Sequence, residues 1–255
     1  MKQVNIIYKL INKIIFNLDE YDEAEELYKN ISNKLNKNEN WKETGYLHCQ
    51  LGNICKEGLG DYEKALEHYL MSLEMLCQHI SSLDSKLRNI YLSITHILLL
   101  QGQIKNKLTI EYFQRILLID NSLNHLNEYN LINDHNYLAL LYKNEENYSK
   151  CLFHFNKSLE YQLLMDKSKQ NINENFFLDD YSINETIYDK KALKSLSIDK
   201  LPNLSDIYFN LGTTYQNLGQ KQNALKHVQK ALQLANHDQN KFQIYQNYYI
   251  KLQQI

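Results

Sequence analysis

Histidine, cysteine and clustered carboxylate are the side chains of this 255-residue chain with types suited to chemistry. Three of the nine histidines, His68, His154 and His227, recur one residue before a large side chain: Tyr69, Phe155 and Val228. A recurring imidazole could be a metal ligand, but a zinc site needs about four ligands converging on one point. Helices packed side by side hold such equivalent positions about 8–10 Å apart, so a packing or solvent-edge role is expected for all three. The four cysteines, Cys49, Cys55, Cys77 and Cys151, form no C-x-x-C pair and lie in apolar runs. That is the pattern of small buried hydrophobes in a reducing compartment. Asp22-Glu23 with Glu25-Glu26 is expected to form a solvated helix face. No G-x-S-x-G, phosphate-cradling glycine loop or H-E-x-x-H occurs. The expectation is a non-enzymatic protein with no catalytic, metal or cofactor residues.

Charge narrows the partners. Lys+Arg 28 against Asp+Glu 30 leaves a formal charge of −2, with no block of basic residues to neutralise phosphates. Nucleic acid is therefore not an expected partner. No run reaches the ~18 apolar residues of a membrane span, and Lys9, Asn12 and Lys13 interrupt the apolar N-terminal stretch where a signal peptide would be continuous. A membrane-surface helix over Ile6–Phe16 is a minor alternative. The expected location is cytoplasmic, with the cytoskeleton or cilium as special cases.

The elements that must position these residues are helices. Seven glycines and one proline cannot supply the turns of an all-β fold or the loops of an α/β fold, while 44% hydrophobic residues suffice for a core. Three segments then align. Cys49-Gln-Leu-Gly-Asn-Ile-Cys55 leads to Gly60-Asp-Tyr-Glu-Lys-Ala-Leu-Glu-His-Tyr69; Tyr137–Tyr142 leads to Asn147–Phe155; Phe209-Asn-Leu-Gly-Thr-Thr-Tyr215 leads to Gly219–Val228. An N-terminal copy shows in Asp19–Tyr28. Gly52, Ala139 and Gly212 are small where a first helix crosses its neighbour. Ala24, Ala65, Cys151 and Ala224 are small on the second helix, each four residues before Tyr28, Tyr69, Phe155 or Val228, which puts small and large residues on one face. Gly60 and Gly219 stand at the turns.

This pattern resembles the tetratricopeptide repeat, with L-G-x-x-Y in a first helix and A-x-x-x-F in a second. The spacing from Ala24 to Ala65, and half of that from Ala65 to Cys151, is longer than the usual ~34 residues. In that it is similar to the repeats of kinesin light chains and of cell-polarity scaffolds. The resemblance implies an all-α, right-handed α-solenoid of helix-turn-helix repeats as a single superhelical domain, 1–255. Repeats are expected near 4–38, 44–80, 85–120, 130–165 and 203–236, with an insert near 166–202 and a polar-faced cap helix near 238–255. In the degenerate third copy, Ser93 is taken as the small residue and Gly102 as the turn.

A solenoid offers a concave surface lined by the first helix of each repeat. Projected from the small residues, that groove is expected to hold Lys9 and Lys13, then Cys49, Asn53 and Lys56. Ile94, flanked by Ile90 and Ile97, follows from the third copy. Asn136, Leu140 and Lys143 come next, and then Phe209, Thr213 and Gln216. Amides such as Asn53 and Asn136 can bond a peptide backbone in both directions, although Asn is abundant throughout the chain. The chaperone-binding members of the family hold a carboxylate with set Lys, Asn and Arg positions, and neither register of this chain preserves them. The expected function is a protein–protein adaptor or scaffold that takes an extended or helical protein segment in the groove. The alternative is an integral structural subunit of a cytoskeletal or ciliary complex, packed through its convex face and cap. A further expected contact is intramolecular: the acidic-aromatic Phe176-Phe-Leu-Asp-Asp-Tyr181 of the insert could occupy the groove.

Overall fold

The computed structural model describes residues 26, 30, 40–102, 107–123, 127–172, 202–235 and 237–254, with side chains in the helix ending at Ile172 described as far as 167. Lys9, Lys13, the first repeat apart from residues 26 and 30, and Phe176–Tyr181 lie outside the described residues. All regular structure among the described residues is helical. The chain divides into two compact units, Met1–Gln103 and Ile104–Ile255, cut between the two helices expected for the third repeat.

The first unit holds α1 (Trp41–Asn53), a π-helical turn (Ile54–Gly58), α2 (Tyr62–Cys77) and α3 (Ser85–Leu100). The second holds α4 (Lys107–Ser122), α5 (Glu128–Asn144), α6 (Tyr148–Ile172), α7 (Leu204–Asn217), α8 (Lys221–Leu234) and α9 (Gln239–Gln254). Short polar side chains start these helices by accepting an otherwise unbonded backbone N–H. Asp61 accepts from Lys64 N, Asp84 from Lys86 N, Asn127 from Asn130 N, Asn147 from Lys150 N and Asn203 from Ser205 N.

The small residues bring paired helices together. A Cβ added to Gly52 would meet the Tyr69 ring at 2.7 Å, and one added to Gly212 would meet Val228 Cγ2 at 2.5 Å. Ala65, Ala139, Cys151 and Ala224 are fully buried at the same crossings. α1 therefore packs on α2, α5 on α6 and α7 on α8; α6 also packs on α7, and α8 on α9.

The turns repeat as well. Gln220 N bonds Tyr215 O, Asn147 N bonds Tyr142 O and Asp61 N bonds Cys55 O, each spanning a residue with positive φ. That residue is Gly219 or Gly60 in two copies, but Glu146 (φ 59°) in the α5–α6 copy, where a side chain costs about 1–2 kcal/mol. The small residue precedes this position by seven in the α5 and α7 copies and by eight in α1 (Gly52 to Gly60). The π-helical turn absorbs the extra residue, since a π turn is an α-helix widened by one.

Three expectations change. Counting seven back from Gly102 gives Thr95, which is fully buried, whereas Ser93 is half-exposed; Thr95 is the small residue of α3. α6 continues to Ile172, past the expected end at 165, since no Gly or Pro stops it. On α9, Phe242, Tyr245 and Tyr248 pack inward, but Ile244 is 57% exposed and Ile250 45%, so its outer face is not wholly polar.

Candidate first-helix interaction face

The expected groove residues separate by position. In α1 and α3, Cys49 (4% exposed) and Ile94 (0%) are core residues, as are Ile90 and Ile97, so none has surface to give a partner. For Ile94 register contributes: with Thr95 as the small residue, the α3 position matching Asn53 and Thr213 is His96, which is itself buried, and Ile94 is an interior position. Asn53 is half-buried and accepts a hydrogen bond from the Tyr69 hydroxyl at 2.6 Å, which fixes it inside its own repeat.

Lys56 leaves only 8% of its side chain exposed, with Glu57 Oε1 3.7 Å away. Its charge reaches His96, whose pKa is pushed down to about 4 by burial first and by Lys56 second.

In the second unit the face is more open. Asn136, Leu140 and Lys143 lie along α5 and are half-buried. Lys143 Nζ crosses to α7 and donates to Thr213 Oγ1 at 2.6 Å, and the Thr213 hydroxyl in turn donates to Asn210 O at 2.9 Å. Burial, the larger cause, holds the Lys143 ammonium below the usual lysine range, and Cys151 acts the other way. Cys151 is itself raised by burial and lies against Thr214 Oγ1, so it is an inert packing residue. Asn136 Oδ1 is buried without a hydrogen-bond partner.

The α7 positions face α9. Phe209 stacks on Tyr245, with centroids 4.2 Å apart, and meets Tyr248 edge-on; Gln216 accepts from the Tyr248 hydroxyl. Asp206 anchors α9 from the same helix, accepting from Tyr245 at 2.5 Å and from Lys241 at 2.6 Å. Burial, then Asp206, raises the Tyr245 hydroxyl well above the ordinary tyrosine range. Of the expected face, the structure joins Lys143 to Thr213 and engages Phe209 and Gln216 with α9.

The recurring histidines pack within helix pairs. His68 meets His48, Nδ1 to Nδ1, at 3.2 Å; His154 meets His135 at 2.9 Å. His227 lies between Tyr208 and Tyr215. One neutral imidazole donates and the other accepts, which needs opposite tautomers within a pair. His135 and His154 are both pushed down to about 4, chiefly by burial. The first-helix halves of these pairs, His48, His135 and Tyr208, were not singled out from sequence. Their signal was present: each stands four residues before Gly52, Ala139 or Gly212. Among the described residues, no three His, Cys, Asp or Glu side chains gather where a metal could be held. No helix among them is long and apolar enough to cross a membrane.

Comparison with known proteins agrees with this geometry. The family model described as "Tetratricopeptide repeat" matches residues 205–238, spanning α7 and α8. No curated protein matches the chain. Among solved structures, BtubC (BKLC) from P. vanneervenii is similar at 18% identity and TM-score 0.57, over 91% of this chain and 80% of that one. MamA protein is similar at 14% identity and TM-score 0.56, over 92% and 93%. A Podosopora anserina protein assigned to the kinesin light chains, with nearly identical TPR-like repeats, is similar at 12% identity and TM-score 0.57, over 93% and 97%. At these identities the likeness is one of fold. One repeat matched by the family model at residues 205–238, and a fold shared with those structures over nine-tenths of this chain, give it a helical solenoid of the tetratricopeptide-repeat type.

Proposed function

We propose that the chain is a non-enzymatic protein–protein interaction adaptor that takes a protein segment along its first helices, chiefly α5 and α7. The observation that carries this reading is the Lys143–Thr213 contact. It sets a half-buried cation and a hydroxyl side by side on a face that also carries Leu140. Polar groups placed among apolar ones give a binding surface orientation as well as area. The cytoplasm, and a cytoskeletal or ciliary assembly within it, belongs to the same reading.

A second reading, a structural subunit packed through its second helices, has its own support. Phe153 on α6 is 56% exposed and Leu118 on α4 is 55% exposed. The α3 row Ile90, Ile94 and Ile97 gives it none, being interior. Cross-linking mass spectrometry on the complex purified from cells separates the two. The adaptor predicts links from Lys143 to one extended segment. Links confined to second-helix lysines such as Lys64 and Lys230 would favour the subunit instead.

A further inference from the structure

Lys56, Lys143 and Gln216 occupy one repeat position, four residues after Gly52, Ala139 and Gly212. Its three occupants are satisfied in three different ways. Lys56 has a carboxylate beside it, because Glu57 follows directly within the π-helical turn, and its side chain is almost fully covered. Gln216 is neutral and is taken up by Tyr248 of α9. Lys143 is followed by Asn144, and its one described contact is a neutral hydroxyl.

That hydroxyl leaves the lysine incompletely matched. An ammonium has three N–H donors, and Thr213 Oγ1 takes one of them. Thr213 cannot supply charge, and its own O–H is committed to Asn210 O, so the donors the pair offers an outside group are those of Lys143. Leu140 lies one turn earlier on α5, giving the ammonium an apolar flank. A cation drawn partly out of water with no counter-charge carries an unrecovered desolvation cost, which an arriving anion offsets.

We infer that Lys143, backed by Thr213, is the specificity-determining contact of the α5–α7 face, and that it selects a partner protein segment presenting an Asp or Glu side chain. The inference rests on the adaptor reading and adds the chemistry of the partner. The carboxylate would take the free N–H donors of Lys143 while the apolar part of the segment lies on Leu140. The equivalent position of the first unit makes no such selection, since Glu57 already neutralises Lys56.

The test uses the full chain and an array of 12-residue peptides of varied sequence. Each acidic peptide is paired with a twin in which every Asp and Glu is replaced by Asn and Gln. Binding is read by fluorescence anisotropy at constant salt. Wild-type chain is expected to bind its preferred acidic peptides at least tenfold more tightly than their twins. Lys143→Met keeps the side-chain stem and should bind both members of a pair alike, whereas Lys143→Arg and the exposed second-helix control Lys230→Met should keep the preference. Circular dichroism on each variant shows that the fold is intact. Equal binding of acidic peptides and twins by wild type, or a preference that survives Lys143→Met, overturns the inference. If such binding is still abolished by Leu140→Glu, the adaptor reading stands without it. Absence of binding by every peptide, or binding indifferent to Leu140→Glu, overturns both.

Discussion

The α1–α2 pair and the α5–α6 pair are built on one repeat, yet they end their first helices differently. In α1–α2 the small residue is Gly52, the turn residue is Gly60, and a π-helical turn takes up an extra residue between them. In α5–α6 the small residue is Ala139, the turn residue is Glu146, and the helix runs regularly to the turn. Both preserve the crossing of small against large residues and the hydrogen bond that closes the turn. What varies is the end of the first helix, where Lys56 gains a counter-charge and Lys143 does not. The lesson is that the helix pairing is held by a few steric contacts, which leaves the helix ends free to differ in charge and so in what they can bind.

That comparison can be broken most directly at the crossings. Gly212→Val places a side chain against Val228 and against the backbone of Ala224 and Val228, which cannot rotate away. We expect a loss of about 3 kcal/mol or more, read as a fall in the urea midpoint. Gly52→Ala meets first the Tyr69 ring, a side chain rather than backbone, and should cost less, about 1–2 kcal/mol. If Gly52→Ala cost more than Gly212→Val, the crossings would not be ordered by what they touch.

The next effect is at α9. Asp206→Ala removes the shared acceptor of Tyr245 and Lys241 and should cost about 2 kcal/mol. Hydrogen exchange should show α9 opening before α5 and α6; uniform protection would place its anchor elsewhere.

The α5–α6 pair should also be sensitive to acid. An unfolded histidine titrates near 6.5, whereas His135 and His154 titrate at about 4 in the fold. Below 6.5 the unfolded chain therefore takes up protons that the folded pair refuses. Stability from this pair is complete above about pH 6.5, falls as the pH drops toward 4, and levels off below that. Lys150 and Lys157 oppose protonation and Glu160 favours it, all from α6 itself. Replacing both histidines with Phe should flatten the urea midpoint between pH 6.5 and 4 relative to wild type; an unchanged slope would remove the pair from the account. The smallest effect has the opposite sign. Glu146→Gly relieves a left-handed side-chain conformation and should raise stability by about 1 kcal/mol.

Much of the fold was legible in the sequence for a steric reason. Gly52 with Tyr69, and Gly212 with Val228, are contacts so short that the residue types announce them. Glu146 hid its turn because nothing in its type demands positive φ. The degenerate α3 copy was misread by two residues because Ser93 and Thr95 are both small and polar; only the count from Gly102 separates them. That slip gave Ile94 the repeat position that His96 holds, and both are buried. The eight-residue spacing that produces the π turn was also in view, but a period sought in whole repeats hides a single added residue. The face itself was only partly legible. Cys49 and Asn136 hold one repeat position, three residues before Gly52 and Ala139, yet Cys49 is 4% exposed and Asn136 half-buried, a difference that the pattern within one helix does not decide.

Site-specific photo-cross-linking compares the two faces of the molecule in one measurement. A benzophenone side chain is placed at Leu140 on the first-helix face of α5, or at Phe153 on the exposed face of α6, and the full chain is irradiated with its native complex. The account predicts that one partner segment attaches at 140 and none at 153. Attachment at 153 with nothing at 140 would contradict it and make the second-helix surface the site of assembly.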